Sequence, residues 1–210
     1  MDVDKNGALA VNEGRDVAPL INSLLSLPFV AKIATQDWHP ADHISFASNH
    51  ADKQPFVDFA TVVNPDNASE SYSTRLWPVH CVQNTTGAEL IPELEADKVE
   101  TVIKKGTDPR VEMYSAFYDP FEAPRVSDSG LAGVLKEKGV THVYVVGLAF
   151  DYCVKCTAMD AAKEGFTTYV VEEGTRAVDA PKWEECKAEL QQKGVVVVSA
   201  DGPEVAKLKG

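Results

Sequence analysis

Positive charge is scarce in this sequence. Twenty lysines and arginines stand against 32 aspartates and glutamates, a formal net charge of −12. That deficit works against nucleic acid and anionic membrane as partners, since both present negative charge to whatever binds them. Long apolar runs are missing too. None reaches the roughly 20 residues of a membrane span, and the opening MDVDKNGALAV lacks the basic-then-apolar order of a secretory signal. Cysteine is sparse: Cys81, Cys153, Cys156 and Cys186 are too few for a disulfide framework in a chain of 210 residues. These absences lead to the expectation of a cytoplasmic protein. Internal repeats, low-complexity tracts and linkers are absent as well, so residues 1–210 are expected to form one domain.

What is present alternates. Apolar residues at helix spacing predict helices over 15–27, 131–138, 152–164 and 181–193, the last three ended by Gly139, Gly165 and Gly194. Short β-branched runs predict strands over 30–35, 99–104, 142–147, 167–172 and 195–199. Segments 43–98 and 106–128 read as irregular, with one short helix near 88–94. A loop of that size inside a compact domain is usually functional. Strands alternating with helices predict an α/β fold: three layers, doubly wound, a mainly parallel sheet with helices on both faces and right-handed crossovers.

The stretch His142–Thr157, HVYVVGLAFDYCVKCT, is the centre of this pattern. Its first half reads as a strand buried on both faces. Its second half turns to helix spacing, with Asp151 as an N-cap candidate. Cys153 then falls in the first helical turn, past the carboxyl end of a strand, where backbone N–H groups and the helix dipole favour a thiolate. Ligands of open α/β sheets bind at that same edge. Cys153 is therefore a candidate nucleophile; the alternative is an ordinary core cysteine.

Two further features converge on the strand ends. Asp37 and His39 sit two apart after the 30–35 strand, so in extended chain they point the same way. With His80 from Trp77-Pro78-Val79-His80-Cys81 they make a carboxylate and two imidazoles, a set that leaves positions open on a zinc ion. His43 is a candidate for supporting them from behind, His50 reads as solvated, and His142 as a strand-edge residue. Lys104 and Lys105 end the 99–104 strand, and either could approach Cys153, lower its pKa and steady an anion.

The motifs that carry a family likeness are GALAV (7–11), TQDWHPADHISFASNH (35–50), LWPVHCVQNTTGAEL (76–90), KKGTDPRVEMYSAFYD (104–119) and VGLAFDYCVKCTAMDAAKEGF (146–166). Together they resemble the nicotinamidases of the isochorismatase-like cysteine hydrolases, over nearly the whole chain. The resemblance implies an amidase that converts nicotinamide to nicotinate and ammonia in NAD salvage. It implies Cys153 as nucleophile and Lys105 as catalytic lysine. Asp37, His39 and His80 would hold a divalent metal, usually zinc, and Trp77 and Tyr114 would line the pyridine pocket. It further implies a cis peptide at Leu148–Ala149, with the Ala149 and Cys153 N–H groups as the oxyanion hole. The expected partner is a small-molecule substrate, with no nucleic acid and no membrane; assembly into a homo-oligomer is left open.

One departure stands out. The family opens with a central strand ending in an aspartate, its general base, about ten residues before the glycine matching Gly7. Only six residues precede Gly7 here, and Asp2 and Asp4 are in the wrong register. The expectation is a shortened chain, with strands 30–35 and 99–104 left with open edges or forced together. Three rival readings follow: a catalytically impaired binding or structural remnant, an amidase of the same fold with another substrate, and a thiol redox protein built on Cys153-Val154-Lys155-Cys156.

Overall fold

The run Val143-Tyr144-Val145-Val146 forms the middle of strand β5 (His142–Leu148) in the structure, a computed structural model that describes residues 7–209. β5 pairs in parallel with β6 (Thr167–Arg176), and β6 in parallel with β7 (Val196–Val198). Helices α3 (Lys155–Lys163) and α4 (Trp183–Gln192) make the crossovers. Their inner faces close a core of Phe150, Val154, Ala158, Val170, Cys186 and Leu190. Gly139, Gly165 and Gly194 all take positive φ just past their helices, as the sequence predicts.

A second parallel pair is built from β1 (Ile33–Asp37) and β4 (Thr101–Lys105), in register from Ile33–Thr101 to Asp37–Lys105. β1 lies later than the 30–35 predicted for it. Of the two outcomes expected for these strands, open edges or pairing, the structure has the pairing: β1 and β4 lie side by side. The edges left open are the far edge of β1 and the far edge of β5, since no strand pairs with either among the described residues. Between them lies a cavity of about 670 Å³. The described strands therefore form an α/β fold with the parallel strands in groups of two and three rather than one continuous sheet.

Helices cover both faces of this gap. α1 (Ala18–Leu25) contributes Leu20 and Leu24, which pack with Tyr144 and Val146. α2 (Leu131–Glu137) contributes Leu131 and Leu135 from the opposite face, packing with Ile33 and Val143. The alternation of Val143 against Tyr144 assigns the two faces. The 15–27 helix is α-helical only from Ala18; Gly14–Val17 is a 3-10 turn.

The segment read as irregular hides a hairpin. β2 (Phe59–Asn64) and β3 (Asn67–Arg75) pair antiparallel across a turn at Pro65–Asp66. The helix expected near 88–94 is a single 3-10 turn, Thr86–Ala88; Pro92 lacks the N–H that a helix there would need. A short helix α5 (Pro203–Ala206) follows β7. Among the described residues no helix is long and apolar enough to cross a membrane. Asp2 and Asp4 lie outside the described residues.

Candidate active site

The carboxyl ends of β1, β4 and β5 meet. β1 delivers Asp37, β4 delivers Lys105, and the turn after β5 delivers Cys153. Lys105 is the centre of the cluster. Its Nζ lies 2.6 Å from Asp37 Oδ1 and 3.3 Å from Cys153 Sγ, and it donates to the Met113 carbonyl at 3.4 Å. The lysine is only 3% exposed. Burial alone would drive its proton off, but the Asp37 carboxylate and the Cys153 sulfur outweigh that and raise its pKa. Asp37 shows the mirror effect: burial raises its pKa, and Lys105 pulls it well below the usual carboxylate range. Lys104 points away, its ammonium 3.5 Å from the centre of the Trp38 ring.

Cys153 does not sit in an α-helical turn. Phe150–Val154 is a π-helical turn, and α3 begins only at Lys155. Nor is Asp151 an N-cap. It is buried and accepts the backbone N–H groups of Val178 and Asp179, tying the turn to the end of β6. The favoured thiolate is corrected as well. Burial pushes the Cys153 thiol up to about 11, and Lys105 offsets only part of that. Cys156, a turn further on, is pushed up to about 12, first by burial and then by Cys153. Both are free thiols, and neither has the depressed pKa that disulfide exchange exploits. The Leu148–Ala149 peptide is cis, and Ala149 and Cys153 line the same pocket.

Asp37, His39 and His80 come together, with one potential ligand atom of each within 4.8 Å of the others. The imidazoles are prepared for a cation. His39 Nδ1 donates to the Gly106 carbonyl at 2.9 Å, and His80 Nδ1 donates to the Pro78 carbonyl at 2.8 Å. Each bond fixes the tautomer and leaves Nε2 as the lone-pair nitrogen, the arrangement found behind metal-bound histidines. Burial lowers the pKa of His39 to about 4 and that of His80 in the same direction, so both are neutral at neutral pH. The site residues thus fit a divalent metal by charge, tautomer and donor type. Gly106 is required for this. At φ +65° it approaches so closely that a Cβ would lie 2.3 Å from His39 Cε1.

His43 stands behind the group. Its ring centre is 4.3 Å from that of His39. Its Nδ1 accepts from the Ser45 N–H and hydrogen-bonds the Ser45 hydroxyl, and its buried Nε2 has no partner among the described residues. His50 is not solvated: it is half-buried and hydrogen-bonded through Nε2 to the Ile44 carbonyl. His142 begins β5, exposed, as expected.

Trp77 and Tyr114 form the apolar wall. Trp77 Nε1 donates to the Tyr114 hydroxyl at 2.9 Å, and that hydroxyl is 3.0 Å from Thr74 Oγ1. Two pocket residues escape the sequence reading. Tyr152 packs edge-on to Trp77 at 4.7 Å, and its hydroxyl accepts from Arg75, which also pairs with Asp179 at 2.6 Å. Glu112 is 3% exposed, faces the pocket and stays ionised: burial raises its pKa, while His43, His39 and the Ser45 hydroxyl lower it further. A lone acid inside Arg110-Val111-Glu112-Met113-Tyr114 was the available signal for it.

Comparisons with known proteins agree on one family. The isochorismatase domain matches residues 43–202. A nicotinamidase of Acinetobacter baylyi is 44% identical over 173 residues, 82% of this chain and 75% of that protein. The structure of the yeast nicotinamidase bound to the inhibitor nicotinaldehyde superposes with a TM-score of 0.85 at 33% identity, over 92% of each chain. A pyrazinamidase of Pyrococcus horikoshii, in complex with zinc, gives 0.70 at 33% identity, over 95% of this chain and 94% of its own. The α/β frame, the strand-end cluster of Cys153, Lys105 and Asp37, and these likenesses lead to the same conclusion: the chain belongs to the isochorismatase family, alongside its nicotinamidases.

Proposed function

We propose that this protein is a nicotinamidase, hydrolysing nicotinamide to nicotinate and ammonia through a Cys153 thioester, as a step of NAD salvage. The observation that carries the reading is the meeting of Cys153, Lys105 and the Asp37–His39–His80 set in one pocket walled by Trp77, Tyr114 and Tyr152. The aromatic wall suits a flat pyridine ring. A zinc ion held by Asp37, His39 and His80 would supply a Lewis acid that orients the ring through its nitrogen.

Cys153 Sγ attacks the carboxamide carbon. The Ala149 and Cys153 N–H groups receive the developing oxyanion, a contribution of about 3–4 kcal/mol in comparable sites. Lys105, kept charged by Asp37, stabilises the sulfur as it loses its proton. The departing nitrogen takes up the proton lost by the thiol and leaves as ammonia, and water then hydrolyses the thioester to the acid and the free thiol. Lys105 Nζ is the one side-chain group that hydrogen-bonds Cys153 Sγ among the described residues, and at that position it is a donor. A proton acceptor beside the sulfur is therefore the part of the machinery with no described counterpart.

Ammonia release from nicotinamide, measured beside a panel of other aromatic and aliphatic amides, tests the reading. Nicotinamide is expected to be the best substrate. Cys153→Ala is expected to lose at least about 10³-fold in kcat while melting within a few degrees of the parent. Preference for an unrelated amide would point to another amidase of the fold, and no turnover of any amide to a binding remnant.

A further inference from the structure

We infer that the outer edge of β2 pairs with the same edge of a second copy of this chain, forming a two-fold antiparallel dimer centred on Thr61. This inference stands apart from the amide chemistry and does not rest on it.

The backbone decides which groups are on offer. Just before the hairpin ladder, the Leu76 N–H donates to the Asp58 carbonyl at 2.9 Å, so that carbonyl faces β3. Backbone groups alternate in direction along a strand, so Ala60 and Val62 also face β3, opposite Thr74 and Tyr72. Phe59, Thr61 and Val63 then point their N–H and C=O groups the other way. Among the described residues no other strand pairs with β2, and no turn or loop backbone bonds those three. A row of donors and acceptors is left to water.

Exposed edges of this kind are usually blunted by a lysine, a proline or an inward-pointing charge. β2 reads Phe59-Ala60-Thr61-Val62-Val63-Asn64 and has none of these. Its outward side chains are apolar at both ends: Phe59 is 56% and Val63 47% exposed, with Thr61 exposed between them. The other strand of the hairpin is unlike it. β3 carries Glu70 and Arg75, and Glu70 is tied to the N–H groups of Glu122 and Ala123.

Self-complementarity selects the partner. Outward-facing groups pair only with outward-facing groups, so odd-numbered residues of one copy meet odd-numbered residues of the other. A two-fold axis at Thr61 sets Phe59 opposite the partner's Val63, Thr61 opposite the partner's Thr61, and Val63 opposite the partner's Phe59. Each pair exchanges two hydrogen bonds. Aromatic–β-branched and Thr–Thr pairs are classes that stabilise antiparallel ladders. On the opposite side of the ladder Asp58 meets the partner's Asn64 and Ala60 the partner's Val62, so no charge meets its like. A strand of unrelated sequence would make the same backbone bonds without this match of side chains. A net charge of −12 on each copy opposes close approach. Association is therefore favoured at an uncharged strand, and added salt strengthens it.

The test is sedimentation velocity of the full 210-residue chain from about 1 µM to about 300 µM, with hydrogen exchange at both ends of the range. A six-residue edge is small for an interface, so half-assembly is expected at about 10–100 µM. In the concentrated sample the amides of Phe59, Thr61 and Val63 are expected to exchange at least about threefold more slowly. Those of Ala60 and Val62, already turned to β3, are expected to be unchanged. Thr61→Lys sets two ammonium groups face to face; it is expected to be monomeric throughout, with Tm within a few degrees of the parent because the side chain is exposed. Thr61→Glu is expected to behave likewise, and an equimolar mixture of the two variants to regain the dimer, opposite charges then facing across the axis. A parent that stays monomeric over the whole range, a dimer unaffected by Thr61→Lys, or a mixture no better than either variant alone would overturn the proposal.

Discussion

β1 and β5 line two very different regions. At their carboxyl ends they present a polar cluster in which Lys105 pairs with Asp37 at 2.6 Å and with Cys153 at 3.3 Å. Behind that cluster the same two strands face an apolar cavity of about 670 Å³ with no described strand between them. The site is assembled by short-range bonds from three strand ends, and it survives because β4 holds β1 in register from its far side. The cavity needs a neighbour that those bonds do not supply. Assembly of a reactive cluster and closure of a core are thus separable, and perturbations of the two regions should read out differently.

Acid should hurt the cluster most. His39 has its pKa lowered from 6.5 to about 4, first by burial. Between those values the unfolded chain binds the proton and the folded chain does not, so stability rises with pH across the window. Metal-free protein should lose about 3 kcal/mol on going from pH 7 to pH 4, at about 1.4 kcal/mol per unit. His80 acts in the same direction. Urea unfolding at both pH values measures this; a flat profile would mean that His39 is not held neutral by the fold.

Gly106→Ala should separate the regions more finely. The added Cβ pushes on the His39 ring, and disturbed support behind a metal ligand typically costs 10–100-fold in affinity. Zinc titration should show a loss of that order, with the melting temperature of the metal-free protein within a few degrees of the parent. An unaltered zinc affinity would show that His39 can move without consequence.

A matched pair of truncations probes the cavity itself. Val170→Ala empties a fully buried position in β6 and should cost about 2 kcal/mol, while Val143→Ala, half-buried beside the cavity, should cost under about 1 kcal/mol. Equal losses in urea unfolding would show that the two sides of β5 are packed alike after all. The smallest effect is expected at Arg75→Met. It removes the hydrogen bonds to Tyr152 and to the Phe56 carbonyl and the pair with Asp179, so KM for nicotinamide should rise severalfold, about 1 kcal/mol, with kcat within twofold. A fall in kcat alone would give Arg75 a different role.

Strands with a strong local pattern and side chains with distinctive chemistry were legible from the chain. Val143–Val146 read as a buried strand because β-branched runs do so whatever lies beside them. Cys153, Lys105, Asp37 and His39 stood out as reactive side chains at strand ends and His80 in the long loop, and the structure brings them together. The hairpin 59–75 was lost because β3 carries Ser, Glu, Ser, Tyr, Ser, Thr over 69–74, a polar run that hides its alternation. The turn at Pro65–Asp66 was its readable signal. The open edge of β5 was not legible, because no local feature of 142–148 says which neighbour each of its edges receives. The Cys153 thiol was misjudged because its pKa depends on burial, a property of the whole fold that outweighs one lysine.

In β4 the side chains alternate, so that Lys104 is exposed and stacks on Trp38 while Lys105 is buried against Asp37. Two identical residues, adjacent in the chain, thus have unlike fates decided by parity alone. Changes in length and changes in letter are therefore not equivalent in this strand. Exchanging Val102 or Ile103 for another β-branched residue keeps the parity. One codon inserted or deleted between Thr101 and Lys104 reverses it, turning a buried ammonium to water and an exposed one inward. The stretch from 101 to 103 is accordingly one where one β-branched residue can stand for another, while a change in count would carry Lys105 out of the site.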